Sequence, residues 1–299
     1  MLSILVPIYN FNAFPAVQEL HRQCVEQEIP FEIICQDDAS ESDLNRFNEK
    51  INDLYNSSFV SLKNNISHRE NRNNLAAQSK YDWLLFLDGD SIITNKNFIH
   101  HYIKQINTFD IVYGGRLHPE KCPSNNQKLR WKYGRYMEDQ SAPEREKKGY
   151  SALLFNNTLI KKKCFDTVRF DTNTTKYGHD DTQLSYRLSL KLFSLKHLEN
   201  PVEHGDIDTN CDYLSKTKQS LENLQQLYQT KTIDFKFVKL LSLYDFLVRS
   251  KLQYGIAVFF KIFSEALEQN LKSNNPKLFF FNCFRLGYLC SISKPKSLS

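Results

Sequence analysis

At 299 residues, with 41% hydrophobic content, 22 Phe and 15 Tyr, the chain can bury a large core, which excludes a disordered polypeptide and predicts a main domain with an appended unit. Its net charge of +5 is uneven: residues 231–299 hold 11 Lys/Arg against 4 Asp/Glu, leaving about −2 on the first 230, and no dense basic patch among the predicted strands supports nucleic-acid binding. Seven scattered cysteines (24, 35, 122, 164, 211, 283, 290) show neither Cys-x-x-Cys nor zinc-ligand spacing and read as reduced, mostly buried thiols of a cytoplasmic protein.

The first predicted strand is "ILVPIY" (4–9). No signal-peptide pattern precedes it, and no span approaches the roughly 20 apolar residues of a membrane helix, so a soluble or peripherally bound protein is expected. A helix opened by Pro15 follows, with Phe14, Val17, Leu20 and Cys24 along one side. "FEIICQ" (31–36) is a second strand, "DDASESD" a loop and helix start, and "FVSL" (59–62) a third strand. A helix near 70–79 leads to "WLLFL" (83–87), and a helix near 96–106 to "FDIVYGG" (109–115). Such alternation predicts an α/β fold with a mainly parallel, twisted sheet covered on both faces. From 116 to 149 the pattern loosens into a polar, Pro- and Gly-punctuated stretch, of a length that is usually functional or mobile. Strand-like "YSALLFNN" (150–157) and a helix from about Asp181 come next. Beyond residue 215 the reading is helical, with one apolar face of Phe237, Leu240, Leu241, Tyr244, Leu247 and Val248 and another of Ile256, Phe259, Phe260, Phe263 and Leu267.

The residues that could do chemistry fall in four clusters. "WLLFLDGDS" has no alternation and suits a strand buried on both faces, which puts Asp88 at its carboxyl end, where ligands of open α/β sheets bind. Gly89 lets the backbone turn, so Asp88 and Asp90 could share one crevice. Two anions that close call for a cation, and partly open oxygen ligands suit Mg²⁺ or Mn²⁺ with a phosphate. The competing reading is an ordinary Asp-Gly hairpin turn. "QDDAS" places Asp37 and Asp38 at the end of the second strand, as hydrogen-bond acceptors for a base or ribose or as helix caps. In "KYGHDDT", Gly178 permits a tight turn, and Asp180 and Asp181 open a helix whose dipole favours acids there. In "NPVEHGD", His204 follows a strand and is either a metal ligand or an ordinary histidine.

Together "VPIYN", "EIICQDDAS", "RNNLAAQSKYDWLLFLDGDS", "VYGGR", "KYGHDDT" and "NPVEH" resemble the family 2 glycosyltransferases of the GT-A fold, over roughly residues 2–225. The resemblance implies a Rossmann-like nucleotide-diphospho-sugar domain over 1–225, with a nucleotide-sugar half (1–115) and an acceptor-side half (116–225), and a basic helical extension over 226–299. Pro7 and Tyr9 would line the nucleoside site. Asp38, with Asp37 possible, would bind the base, and Arg72 would lie near the phosphates. Asp88 would contact ribose or metal, Asp90 would bind Mn²⁺ or Mg²⁺, and His204 would add a metal or diphosphate contact. Asp181 would be the general base, with Asp180 where many relatives have Glu, and Asn157 would occupy an acceptor-side position. Where many relatives read Asn-Ile-Gly-Arg, this chain has "NISH", with Ser67 and His68.

The implied reaction transfers a sugar, with inversion, from a nucleoside diphosphate (a UDP-sugar favoured) to a saccharide or lipid-linked hydroxyl. A haloacid-dehalogenase-type phosphatase with Asp88 as nucleophile competes, although its motif normally opens its domain and here three strands precede it. A non-catalytic sugar-binding relative also competes. A dinucleotide oxidoreductase does not, since no Gly-x-Gly-x-x-Gly turn follows the first strand. The apolar, aromatic "KLFFFNCFRLGYLC", flanked by Lys277, Arg285, Lys294 and Lys296, suits either an anionic membrane surface, here the inner face of the cell membrane, or a helix packed on the domain.

Overall fold

A computed structural model describes residues 1–173 and 176–293. The chain divides into two compact units, the first formed by Met1–His118, Glu138–Asn173 and Arg187–Asp206 and the second by Pro119–Met137, Thr174–Tyr186 and Ile207–Ser299. Among the described residues the strands are β1 (Leu2–Ile8), β2 (Phe31–Asp37), β3 (Ser57–Ser61), β4 (Trp83–Leu87), β5 (Ser91–Ile92), β6 (Ile111–Tyr113), β7 (Arg116–Leu117), β8 (Asn157–Lys161), β9 (Leu195–His197) and β10 (Val202–His204). All belong to the first unit.

Seven of them form one sheet in the order β3-β2-β1-β4-β8-β6-β9. The pairs among β3, β2, β1 and β4 are parallel, β8 is antiparallel to both its neighbours, and β6 and β9 are parallel. The central strands are the unalternated runs: every residue of β4 is buried, whereas β3, at the edge, buries only Phe59. The helix Phe14–Glu26 covers the sheet with Val17, Leu20 and Cys24, as its spacing predicts. A second, small sheet has the order β5-β10-β7.

Two local expectations change. The strand read at 150–157 lies further on, at Asn157–Lys161, where β-branched Thr158 and Ile160 pair with β4, while Gly149–Ala152 is a 3₁₀ turn. Phe155 is still buried, edge-on to Phe86 and Phe170 at 5.6 and 5.3 Å between ring centres. Burial of an apolar run does not itself dictate the backbone that carries it. The loose stretch after Gly115 is also partly ordered, with β7 and short helices at Lys128–Tyr133 and Ala142–Glu146, the second opened by a Ser141–Glu144 capping box.

Asp110 ties three strands together: Lys161 Nζ donates to it at 2.8 Å, as do Ser194 N at 3.0 Å and Ser194 Oγ at 2.8 Å. Burial acts to raise its carboxyl, but the bonds from Lys161 and Ser194 prevail and bring it down to about 2. A lowered folded-state value means stability that is present above the unfolded value, near 3.8, and lost as pH falls toward 2. Asp110→Asn is therefore expected to cost about 1–2 kcal/mol at neutral pH, in urea unfolding, and almost nothing near pH 2.

The second unit is helical among its described residues: Asn210–Gln229, Lys239–Arg249, Gln253–Lys272 and Leu278–Ser291 are its main helices. One apolar cluster joins Leu221, Leu224, Leu241, Tyr244 and Leu289, and another joins Leu129, Leu214, Phe260, Phe281 and Phe284. The first expected stripe holds, with Leu241, Tyr244 and Leu247 buried. The second does not: Phe260 is buried, but Phe259 and Phe263 face water. No helix among the described residues is long and apolar enough to cross a membrane. Lys294 and Lys296 lie outside the described residues.

Candidate active site

From β1 the chain runs outward through β2 and β3, then returns to β4 on the other side of β1, so the strand order reverses between β1 and β4. Open α/β sheets bind ligands outside the carboxyl ends of their strands at such a point. Asp37 closes β2 and Asp88 follows β4 there. Gly89 N donates to Pro7 O at 3.1 Å, and a Cβ on Gly89 would stand 2.7 Å from that oxygen, so close backbone approach demands the glycine. Ser91 N donates to Asp88 O at 3.0 Å, which makes the segment a tight turn. It does not close a hairpin; it carries the chain from β4 into β5 of the small sheet.

The two carboxylates take different partners. Asp88 Oδ1 accepts from Arg72, a buried guanidinium on the helix His68–Gln78 that also lies over the Phe170 ring at 5.2 Å. Asp90 Oδ2 is 2.8 Å from His204 Nδ1. The small sheet makes that second pair: β5 and β10 are antiparallel with His204 opposite Ser91, and Gly205 N donates to Asp90 O at 2.8 Å. A Cβ on Gly205 would stand 2.6 Å from that oxygen, so this glycine too is fixed by close approach. Burial acts to raise the Asp90 carboxyl, but the hydrogen bond and charge of His204, with the charge of Arg116, hold it below the usual carboxylate value.

Sequence reasoning assigned no role to what surrounds His204. β7 is parallel to β10, with Arg116 opposite Val202, and Arg116 pairs with Glu138 at 2.7 Å. His118, buried, is held by Asp139 through its backbone N (3.2 Å) and its Nδ1 (2.6 Å), and its ring lies edge-on to His204 at 5.5 Å. Arg116 stood in the quoted "VYGGR"; His118, Glu138 and Asp139 sit in the polar stretch, where no spacing marked them.

The remaining predicted residues fall out as follows. Asp37 is enclosed, its carboxylate accepting from Ser40 N, Ser40 Oγ and Ser61 Oγ, which ties β2 to β3. Asp38 is also buried; Oδ1 accepts from Ile66 N at 2.7 Å, and burial raises its carboxyl. It thus braces the "NISH" loop, in which Ser67 adopts φ +76°, a conformation that favours glycine, the residue the resemblance implies there. Tyr9 is exposed just past β1, and Pro7 is partly buried. Asn157 is fully enclosed: its amide donates to Gly115 O and Asn200 O, both 2.9 Å, and accepts from Tyr102 Oη at 2.6 Å. Bonded at both ends, this amide holds the sheet together from a position that the resemblance implies lies on the acceptor side. Asp180 and Asp181 open the helix Asp180–Ser189 after Gly178, whose φ of +87° forms the expected turn. Asp180 is buried and Asp181 partly exposed, and both lie in the second unit.

Among the described residues no three His, Cys, Asp or Glu side chains gather as a self-sufficient metal centre. Mg²⁺ and Mn²⁺ do not need one where substrate phosphates complete the shell beside one or two protein ligands. Asp90 and His204 suit that arrangement, because a carboxylate oxygen and an imidazole nitrogen already face each other at 2.8 Å, while Asp88 Oδ1 is turned to Arg72.

The chain matches the model described as glycosyl transferase family 2 over residues 3–208. A protein described as an uncharacterized glycosyltransferase from Haemophilus influenzae is 33% identical over 132 residues, 42% of this chain and 41% of that one, so the match spans about two fifths of the relative's length. Among solved structures, S. aureus TarS 1–349 in complex with UDP has a TM-score of 0.50 at 16% identity, covering 97% of this chain and 90% of that one. The mannosyltransferase PcManGT from Pyrobaculum calidifontis, in complex with GDP-Man and Mn²⁺, has a TM-score of 0.51 at 15% identity, covering 78% and 64%. At these identities the likeness is one of fold, and the mixed sheet followed by a helical region is a GT-A fold. With the family model matched across the whole sheet and the strand-end carboxylates, the chain belongs to glycosyl transferase family 2.

Proposed function

We propose that this chain is an inverting glycosyltransferase that moves a sugar from a nucleoside diphosphate, a UDP-sugar for preference, to a hydroxyl of a saccharide or lipid-linked acceptor in the cytoplasm. The Asp90–His204 pair beside the β1/β4 switch point carries this reading. Asp90 and His204 would hold Mn²⁺ or Mg²⁺, which when bound offsets charge on the departing diphosphate. Arg72, anchored on Asp88, supplies fixed positive charge near the phosphates, and Tyr9 offers an exposed ring to the nucleoside. Asp38, which braces the "NISH" loop through Oδ1, would take the base with its second carboxylate oxygen. Asp181 takes the proton of the acceptor hydroxyl as that oxygen bonds to the anomeric carbon, and the bond to the diphosphate breaks with its electron pair leaving on phosphate oxygen. A single displacement from the opposite face inverts the anomeric centre and forms no covalent enzyme intermediate. The UDP complex of TarS and the GDP-Man and Mn²⁺ complex of PcManGT support a nucleotide-sugar donor and a divalent ion.

The test is a thermal-shift screen of nucleoside diphosphates and their sugars with and without Mn²⁺. One metal and nucleotide pair is expected to stabilise the protein well beyond either component alone, by about 2.7 kcal/mol at a hundredfold excess over Kd. Shifts that ignore Mn²⁺ would remove the metal from this reading.

A further inference from the structure

The register of β7 with β10 sets Arg116 opposite Val202 and Leu117 opposite Glu203, which brings the next residue, His118, level with His204 on one face of the small sheet. The two rings meet edge-on at 5.5 Å, with 73° between their planes. Asp90 meets His204 at Nδ1, 2.8 Å away, and a contact at one atom fixes a point of the imidazole but not its plane. The plane is set by what packs against the side of the ring. His118 is itself firmly held there: it is buried, and Asp139 grips it twice, Oδ2 accepting from its backbone N at 3.2 Å and Oδ1 lying 2.6 Å from its Nδ1. Its Nε2 stands 3.5 Å from Glu138 Oε2, the oxygen that also pairs with Arg116 at 2.7 Å. Burying an imidazole between two carboxylates is costly where an apolar side chain could fill the space, unless the placement of the ring is used.

A metal-binding histidine commonly takes its orientation from a neighbour outside the ligand set, and changing that neighbour typically costs about 10–100-fold in metal affinity. We propose that His118, locked by Asp139 and Glu138, is a positioning residue that holds the His204 imidazole toward Asp90. It acts through His204 and touches neither ion nor donor. The inference rests on the reading of Asp90 and His204 as the protein ligands of the ion. A purely structural role competes with it. The chain leaves the first unit after His118 and re-enters it at Glu138, so the Asp139 contacts also clasp the two ends of an insertion. His118→Asn separates the two roles, because its amide keeps a donor close to where Nδ1 stands while the rest of the ring is gone.

The experiment measures Mn²⁺ binding to the full chain at saturating UDP, by the electron paramagnetic resonance of free Mn²⁺, and UDP binding without metal by calorimetry. The wild type should take up Mn²⁺ and Asp90→Ala should not. His118→Asn should bind Mn²⁺ about 10–100-fold more weakly, with metal-free UDP affinity and melting temperature both at the wild-type values. The inference is overturned if His118→Asn holds Mn²⁺ as tightly as the wild type. It is also overturned if the variant's melting temperature and metal-free UDP affinity fall together with its Mn²⁺ affinity, which is the signature of a clasp alone. Mn²⁺ uptake missing from the wild type, or unchanged in Asp90→Ala, would instead remove the Asp90–His204 reading and the inference with it.

Discussion

Asp90→Ala is expected to lower turnover by about 10²–10⁴ and to erase the Mn²⁺-dependent part of donor stabilisation. The size follows from what the side chain does in the account: it is the carboxylate that would hold the ion, and His204 alone, a neutral ligand, leaves the diphosphate charge poorly offset. Stability should change little, because the Asp90–His204 contact is partly open to water and such pairs contribute about 0–1 kcal/mol. Urea unfolding of the variant, beside steady-state release of nucleoside diphosphate, separates the two effects. A variant that unfolds normally and still shows a full Mn²⁺ shift would move the ion away from Asp90.

Asp181→Asn should behave differently. It keeps the size of the side chain and removes its basicity, so kcat is expected to fall by about 10²–10⁴ while the Mn²⁺ and nucleotide shift stays at the wild-type value. The contrast matters more than either loss. In the proposed reaction Asp90 would act on the donor and Asp181 on the acceptor, so the first variant should lose donor stabilisation and the second retain it. If Asp181→Asn weakened donor binding as strongly as Asp90→Ala, its role would be positional.

The parts of the fold legible in the sequence are those set by local pattern. β1, β2 and β4 are unalternated runs whose burial on both faces leaves no other arrangement, and the helix Phe14–Glu26 follows its apolar spacing. β5 and β7 were not legible, since each has only two residues and exists through pairing with a segment distant in sequence, whereas the strand read before His204 is β10, which ends on that histidine. The site divides in the same way. The carboxylates at the strand ends could be named from "QDDAS" and "DGDS", and the resemblance set His204 beside Asp90 as a metal contact, yet the pairing of Asp88 with Arg72 could not be read, because it arises only where separate elements converge. Asn157, a motif position, fastens Gly115 and Asn200 through contacts that no local spacing could show. The helix Gln253–Lys272 shows why an apolar stripe does not name its own inner face, because neighbours covered Phe260 and left Phe259 and Phe263 outside.

The central claim is that Asp90 and His204 together hold a divalent ion against a diphosphate. Diffraction at the manganese absorption edge, from crystals soaked with Mn²⁺ and UDP, tests it most directly. The account predicts one anomalous peak within ligand distance of Asp90 and His204, with diphosphate oxygens completing its shell. Bound UDP with no peak there, and the Asp90–His204 contact intact, would contradict it.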